Sequence, residues 1–112
     1  MYYKLLAPAI RCWPKLEHLN MRKNYFPNEA VVILASALEK SSNLIFLDLS
    51  YGWFYEGGWD AITVLVQYLP NLEDLILDAN GNSNELCHAG KDKLRVAVYR
   101  YCKNIRNFFL NN

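Results

Sequence analysis

The segment Leu16–Asn24, with the sequence LEHLNMRKN, carries a pattern that recurs through the rest of the chain. The pattern returns 28 residues later as LIFLDLSYG at 44–52, and after another 28 residues as LEDLILDAN at 72–80. IRNFFL at 105–110 is a last copy, 33 residues further along. The shared form is L-x-x-L-x-L-x-x-N, and its last two apolar positions alternate with polar ones, as in a β-strand. The sequence therefore predicts four short strands in equivalent positions.

The segments between these strands repeat in the same register, with apolar residues at the spacing of one helix face. The matched sets, separated by the same interval as the strands, are Leu6 and Ile10, then Val31, Leu34 and Leu38, then Trp59, Ile62 and Val66. Residues 2–12 are therefore predicted to form the helix of an incomplete first repeat. Asn28 follows Pro27 and is predicted to cap the next helix.

One strand and one helix cannot bury an apolar face alone, whereas stacked units share a continuous core. The pattern predicts a single α/β domain over 1–112, a curved solenoid with parallel strands on the concave side and helices on the convex side. Its parts are a partial repeat at 1–15, repeats at 16–43, 44–71 and 72–104, and a terminal strand at 105–112.

The 28-residue period and the long helical segment resemble the ribonuclease-inhibitor-like class of leucine-rich repeats. That class includes the repeat domains of innate immune receptors, Ran GTPase-activating proteins and repeat-bearing F-box proteins. The resemblance covers nearly the whole chain and implies a module that binds another protein through its concave face. Two departures stand out: about five extra residues around Gly81–Gly90, and the absence of polar terminal caps.

In such repeats the asparagine that ends each strand turns its amide inward, where it satisfies backbone groups at the bend. Asn24 and Asn80 fit this role. Gly52 replaces the asparagine in the second repeat, so that position is expected to lack the amide contact.

Strand residues between the core leucines are expected to point away from the helices and to form rows about 4.8 Å apart on the concave face. The predicted protein-binding residues are His18, Asn20, Arg22, Phe46, Asp48, Ser50, Asp74, Ile76, Asp78, Asn107, Phe109 and Asn111. Phe46, Ile76 and Phe109 are expected to act as apolar anchors with a polar surround. Trp53 and Tyr55 form a secondary candidate, and they either pack on the neighbouring loop or contact a partner.

The composition excludes several classes of function. A formal net charge of +1 provides no overall field for nucleic acid or membrane binding. No Lys or Arg lies between Lys40 and Lys91, whereas the last helical segment is basic, with Val96, Tyr99 and Cys102 as its expected core face. Three cysteines without a C-x-x-C pair argue against a disulfide framework or a zinc site. An intracellular, cytoplasmic protein is expected.

Three groups of residues are candidates for a chemical site. His18 could act as a general base, Cys87 and His88 as a nucleophile and base, and Asp74 with Asp78 as a cation site. Each group is better interpreted as surface or loop residues that have no chemical role. We therefore expect neither an enzyme nor a cofactor or metal.

The function predicted from the sequence is protein binding through the concave strands, with a partner whose identity the sequence does not reveal. Regulation of a small GTPase and a substrate-receptor fragment of a ubiquitin ligase are the alternatives. Because the end repeats lack polar outer faces, either self-association or a longer parent solenoid would cover them.

Overall fold

The computed structural model describes residues 2–81 and 85–110. Within them, helices and parallel strands alternate along the chain, and a short 3-10 turn at Val66–Tyr68 follows the third helix. The elements are α1 (Tyr2–Arg11), β1 (His18–Asn20), α2 (Asn28–Leu38), β2 (Phe46–Asp48), α3 (Glu56–Leu65), β3 (Asp74–Ile76), α4 (Glu85–Tyr101) and β4 (Asn107–Phe109).

The four strands form one parallel sheet in the order β1-β2-β3-β4, which is also their order in the chain. The register joins Leu19 to Leu47, Leu47 to Leu75 and Leu75 to Phe108, so equivalent repeat positions are neighbours. Successive helices pack against each other along the opposite side. The predicted α/β solenoid is confirmed.

The core lies between the sheet and the helices, and the leucines of the two inner strand segments are its centre. Leu44, Leu47 and Leu49 are completely buried, as are their counterparts in the next repeat. Full burial of one such side chain stabilises the fold by about 1.5–3 kcal/mol. Leu19, on the outer strand β1, is only partly buried. The inner repeats therefore contribute more to the core than the outer ones.

The turns after β1, β2 and β3 each place a residue other than glycine in the left-handed region. Lys23, Tyr51 and Ala79 have φ values of 65°, 58° and 58° and occupy the same repeat position. Their backbone N–H groups continue the bonding between repeats: that of Lys23 donates to Ser50 and that of Tyr51 to Asp78, at 2.9 Å each. The turn is therefore a repeating part of the solenoid.

Asn80 connects two repeats through its side-chain amide. Its Nδ2 donates to the carbonyl oxygen of Leu77 in its own turn (3.2 Å) and to that of Leu49 in the preceding repeat (2.9 Å). Its Oδ1 accepts a hydrogen bond from Gly52 N–H (2.8 Å). These bonds join the third repeat to the second. Gly52 has no side chain for the equivalent bonds to the first repeat, so the expected loss of an amide contact concerns that other junction.

The prediction that Asn28 caps its own helix is wrong. Pro27 precedes α2 and no side chain caps that helix end. Asn28 Oδ1 instead accepts hydrogen bonds from the backbone N–H groups of Tyr55 (2.7 Å) and Gly58 (3.1 Å). These groups lie at the start of α3, so one repeat caps the helix of the next.

Helix α4 accommodates the extra length of the third repeat, since it has 17 residues against 10 in α3. The expected core face is wrong at two positions, because Val96 and Tyr99 are 68% and 65% exposed. Leu94 and Val98 are buried instead. Lys91, one of the basic residues of this helix, is buried as well.

The buried Lys91 packs against the core aromatic Trp59. Its Nζ lies 5.3 Å from the Trp59 ring centroid, an arrangement in which the aliphatic stem covers apolar surface and the ammonium faces the ring. Lys93, Arg95 and Arg100, further along α4, are exposed instead.

Candidate protein-interaction face

The outward-pointing residues of the strands and of the turns that follow them define the concave face. His18, Phe46, Asp74 and Asn107 form one row across the sheet, and Asn20, Asp48, Ile76 and Phe109 form the next. Arg22, Ser50 and Asp78 follow in the chain after the second row. Asn111 was also predicted to belong to the face, and it lies outside the described residues.

Exposure on this face differs between outer and inner strands. His18, Asn20, Arg22, Asn107 and Phe109 are exposed, while Phe46, Ile76 and Asp78 are half-buried. The expectation that the whole set projects into solvent is wrong for Asp48, Ser50 and Asp74, which are 4%, 0% and 9% exposed. Each inner strand has a neighbouring strand on both sides. A short polar side chain on an inner strand is therefore covered by the side chains of its neighbours.

The first row begins with a stacked pair of rings. The His18 imidazole and the Phe46 ring are parallel within 2°, with centroids 4.1 Å apart. Stacking holds both rings in one orientation and leaves the outer side of His18 accessible. The predicted anchor Phe46 and the His18 imidazole therefore form one stacked pair on the concave face.

Arg22, in the first repeat, contacts the strand and the turn of the second repeat. Its Nη1 lies 3.8 Å from Asp48 Oδ2, and its guanidinium carbon lies 4.8 Å from the centroid of the Tyr51 ring. The buried Asp48 carboxylate also accepts a hydrogen bond from Ser50 N–H (2.9 Å). Asp48 thus positions Arg22 and the turn. Tyr51 is exposed and had no assigned role in the sequence, although its loop was a secondary candidate.

Asp74 has a similar role at the other side of the face. Its Oδ1 accepts a hydrogen bond from Asn107 Nδ2 (2.5 Å), and its Oδ2 lies 3.6 Å from Arg106 Nη2. Arg106 also lies 3.4 Å from a carboxylate oxygen of Glu73. The sequence did not indicate Arg106 as a face residue, because its acidic neighbours belong to the preceding repeat and are distant in the chain. The structure brings them together by pairing β3 with β4.

The secondary candidates, Trp53 and Tyr55, are both exposed, whereas Phe54 between them is fully buried. Trp53 has a left-handed backbone, with φ at 68°. Alternate side chains of this loop thus face the solvent and the core, which leaves both outer rings accessible to another molecule.

The candidate chemical pairs are not assembled into reactive sites. Cys87 is buried in α4 and His88 next to it is exposed, so their side chains point in different directions. Asp74 is already bonded to Asn107 and Arg106. No set of three His, Cys, Asp or Glu residues in the described chain is placed to hold a metal ion. Within the same residues, no helix has the length and apolar character needed to cross a membrane.

Comparison with known proteins agrees with this fold. No family model matches the chain. A stretch of 68 residues, 60% of the chain, is 38% identical to NLR family CARD domain-containing protein 4 of Xenopus tropicalis, of which it spans 7%. The structure of leiomodin-1 actin-binding site 2 superimposes with a TM-score of 0.76 at 17% identity. That match covers 95% of this chain and 60% of the leiomodin chain. The superposition shows that this chain shares its fold with the leiomodin structure.

Proposed function

We propose that this chain is a protein-binding module of the ribonuclease-inhibitor-like class of leucine-rich repeats, and that it holds its partner through the concave face. The observation that carries the proposal is the fixing of side chains between strands. His18 is stacked on Phe46, Arg22 is held by Asp48, and Asn107 is bonded to the Asp74 carboxylate.

Fixed side chains favour binding because less conformational entropy is lost when the partner docks. Ordering one flexible side chain at an interface costs about 0.5–1.5 kcal/mol. Here the internal contacts have already restricted Arg22, His18 and Asn107. The buried carboxylates of Asp48 and Asp74 support the contact residues from below rather than touching the partner themselves.

The accessible groups of the face also have the composition of an interface. Phe109 is exposed at one side and the His18–Phe46 pair lies at the other, with the half-buried Ile76 between them. Arg22 provides a guanidinium beside these apolar groups. Aromatic and arginine side chains contribute most of the binding energy in known interfaces.

The relatives support a binding role at the level of fold. The matched leiomodin segment is named for actin binding, and the other relative is a much longer protein, of which this chain spans 7%. A solenoid of this fold can therefore serve as a binding module. No contact among the described residues favours a GTPase regulator or a ubiquitin-ligase receptor. Cys12, Cys87 and Cys102 form no disulfide among the described residues, which supports a reducing, intracellular compartment.

The test places a photo-crosslinking amino acid at position 109 and, as the matched control, at position 64 on the convex side. Val64 is similarly exposed, on α3. We expect position 109 to crosslink a protein in a cell extract and Phe109→Ala to abolish capture of that protein, with Val64→Ala capturing it as the unaltered chain does. Loss of capture on the convex variant alone would contradict the proposal.

A further inference from the structure

A glycine directly follows the asparagine that ends the strand segment of the third repeat. Asn80-Gly81 is the only Asn-Gly pair in the sequence. Asn24, at the same repeat position, is followed by Tyr25. The backbone at Gly81 has φ at 74°, in the left-handed region that glycine adopts without strain. A Cβ there would also lie 3.0 Å from Trp59 Nε1. The fold therefore favours a glycine beside the amide that joins two repeats.

An Asn-Gly pair is open to intramolecular deamidation, because no side chain shields the glycine nitrogen from the asparagine amide carbon. The backbone nitrogen of Gly81 attacks Cγ of Asn80 and the Cγ–Nδ2 bond breaks. Nδ2 leaves as ammonia with the proton that the Gly81 nitrogen loses, and a succinimide ring remains. Water opens the ring at either carbonyl carbon, adding its hydroxyl group there and its remaining hydrogen to the nitrogen. The product is aspartate or isoaspartate, with a carboxylate in place of the amide.

The hydrogen bonds of the folded chain oppose this reaction. Nδ2 of Asn80 donates to the carbonyl oxygens of Leu49 (2.9 Å) and Leu77 (3.2 Å). Its Oδ1 accepts a hydrogen bond from Gly52 N–H (2.8 Å). Asn80 is only 1% exposed, so water has little access to it. Because cyclisation removes Nδ2, it breaks the bond to Leu49 in the second repeat. The reaction therefore needs the junction between the second and third repeats to open first.

The product does not fit the place of the amide. A carboxylate at position 80 has an oxygen where Nδ2 now donates. This oxygen would face the carbonyl oxygens of Leu49 and Leu77, which have no hydrogen to donate. A buried charge that faces acceptors is strongly unfavourable. Isoaspartate also routes the main chain through Cβ and so displaces the turn. A junction that has reacted therefore does not close again in its former state.

We propose that Asn80-Gly81 is a site of spontaneous deamidation, which makes an opening of the junction between the second and third repeats permanent. Water is the co-reactant and the Gly81 nitrogen is the nucleophile. The reaction is slow while the junction is closed, and its rate follows the fraction of time that the junction is open. The site lies within the solenoid and is independent of the partner proposed for the concave face.

The test compares deamidation at position 80 in the folded chain and in the chain unfolded by guanidinium chloride. Samples are held at mildly alkaline pH and digested with pepsin in acid, which stops the reaction. Mass spectrometry then measures the amide and acid forms of the peptide. We expect the folded chain to react at least about tenfold more slowly, the factor that corresponds to an opening free energy of about 1.4 kcal/mol. Asn24, which precedes a tyrosine, is the internal control and should react more slowly than Asn80 in the unfolded chain.

Two variants separate a local opening from global unfolding. In Gly52→Ala the added Cβ would lie 3.0 Å from Asn80 Oδ1, which weakens the junction. We expect this folded variant to deamidate about tenfold faster than the unaltered chain. Leu19→Ala on β1 is the matched control, because it removes core contacts outside the junction, and it should leave the rate unchanged. Circular dichroism checks that both variants are folded under the reaction conditions.

A third variant tests the product. Asn80→Asp carries the carboxylate from the start, and we expect it to unfold at a lower urea concentration than the unaltered chain. Asn24→Asp, at the exposed equivalent position, should unfold close to the unaltered chain. This measurement does not require a folded Gly52→Ala chain, so it tests the proposal even where that variant fails to fold.

Each of the following results would overturn the proposal. The folded chain deamidates as fast as the unfolded chain or faster, or Leu19→Ala accelerates the reaction as much as Gly52→Ala does. An Asn80→Asp chain as stable as the unaltered chain would likewise show that deamidation leaves the junction intact.

Discussion

Asn80 Oδ1 lies 2.8 Å from the backbone nitrogen of Gly52 and occupies the space that a side chain at position 52 would need. A Cβ there would lie 3.0 Å from both Asn80 Oδ1 and the carbonyl oxygen of Leu49. Gly52→Asn restores the repeat pattern, yet we expect it to destabilise the fold by about 1–3 kcal/mol through overpacking. Urea denaturation followed by circular dichroism measures the change.

Gly57→Ala is the matched control for that substitution. The atoms nearest to its Cβ would be those of the Asn28 side chain, at 3.3 Å or more, and alanine is favoured over glycine within a helix. We expect a much smaller effect there. A gain of stability in Gly52→Asn would mean that Asn80 moves aside without loss.

Removal of the Asn28 side chain tests the capping of one repeat by another. Asn28→Ala leaves the N–H groups of Tyr55 and Gly58 without their acceptor, and we expect a loss of about 0.5–2 kcal/mol in unfolding free energy. Asn28→Asp keeps the acceptor and adds a negative charge at the start of α3, so its stability should equal or exceed that of the unaltered chain. Equal losses in both variants would contradict the capping role.

Core truncation should have unequal effects on inner and outer strands. Leu47→Ala on β2 should cost about 2–5 kcal/mol, since Leu47 is completely buried and a cavity between two neighbouring repeats cannot collapse easily. Leu19→Ala, at the equivalent position of β1, should cost less because Leu19 is only partly buried. Thermal and urea unfolding measure both. A cost below about 1 kcal/mol for Leu47→Ala would contradict the repeat register.

Ser50→Ala should stabilise the protein. The Ser50 hydroxyl oxygen is buried and has no hydrogen-bond partner among the described residues. A buried polar group without a partner costs about 1–3 kcal/mol, so its removal should raise the unfolding free energy by an amount of that order. A loss of stability on this substitution would show that the hydroxyl group makes a hydrogen bond in solution.

Stability should fall at alkaline pH in a way that depends on Cys102. Burial raises the pKa of its thiol from the ordinary 9.0 to about 11. The folded state therefore holds this proton more tightly, and the resulting stabilisation is complete below pH 9 and is lost as the pH rises to about 11. Burial lowers the pKa of Lys91, and this group has the opposite slope, with stability rising as the pH approaches 10.5.

The contribution of Cys102 can be isolated with Cys102→Ala. We expect the urea midpoint of this variant to fall less between pH 9 and pH 11 than that of the unaltered chain, since the other titrating groups are shared by both proteins. Equal slopes in the two proteins would contradict the assignment.

The sequence predicted the strands and the core because both depend on local periodicity. Leu47 and Leu75 are identified by their equivalent places in the repeat pattern, and their burial follows from it. In α4 the same reasoning selected Val96 and Tyr99, and the structure exposes them. Two apolar faces are compatible with the spacing of that helix, and contact with α3 decides between them.

The candidate site could be predicted only in outline. Strand alternation placed Asp48 and Asp74 on the concave side, but their burial depends on neighbouring strands and on Arg22, Asn107 and Arg106. Partners that belong to different repeats leave no local signal in the sequence. The role of Asn28 was missed for the same reason, because its two donors lie 27 and 30 residues further along the chain.

Charge along the solenoid alternates in sign, with basic ends and a middle, residues 27–90, of nine acidic side chains and one basic one. Such an arrangement is an electrical quadrupole with a net charge of only +1. Its field falls off faster with distance than that of a charge or a dipole, and salt screens it within about 8 Å under physiological conditions. Diffusional steering of a partner is therefore weak. Charged groups act on a partner only after the surfaces meet, so salt should affect the dissociation rate more than the association rate.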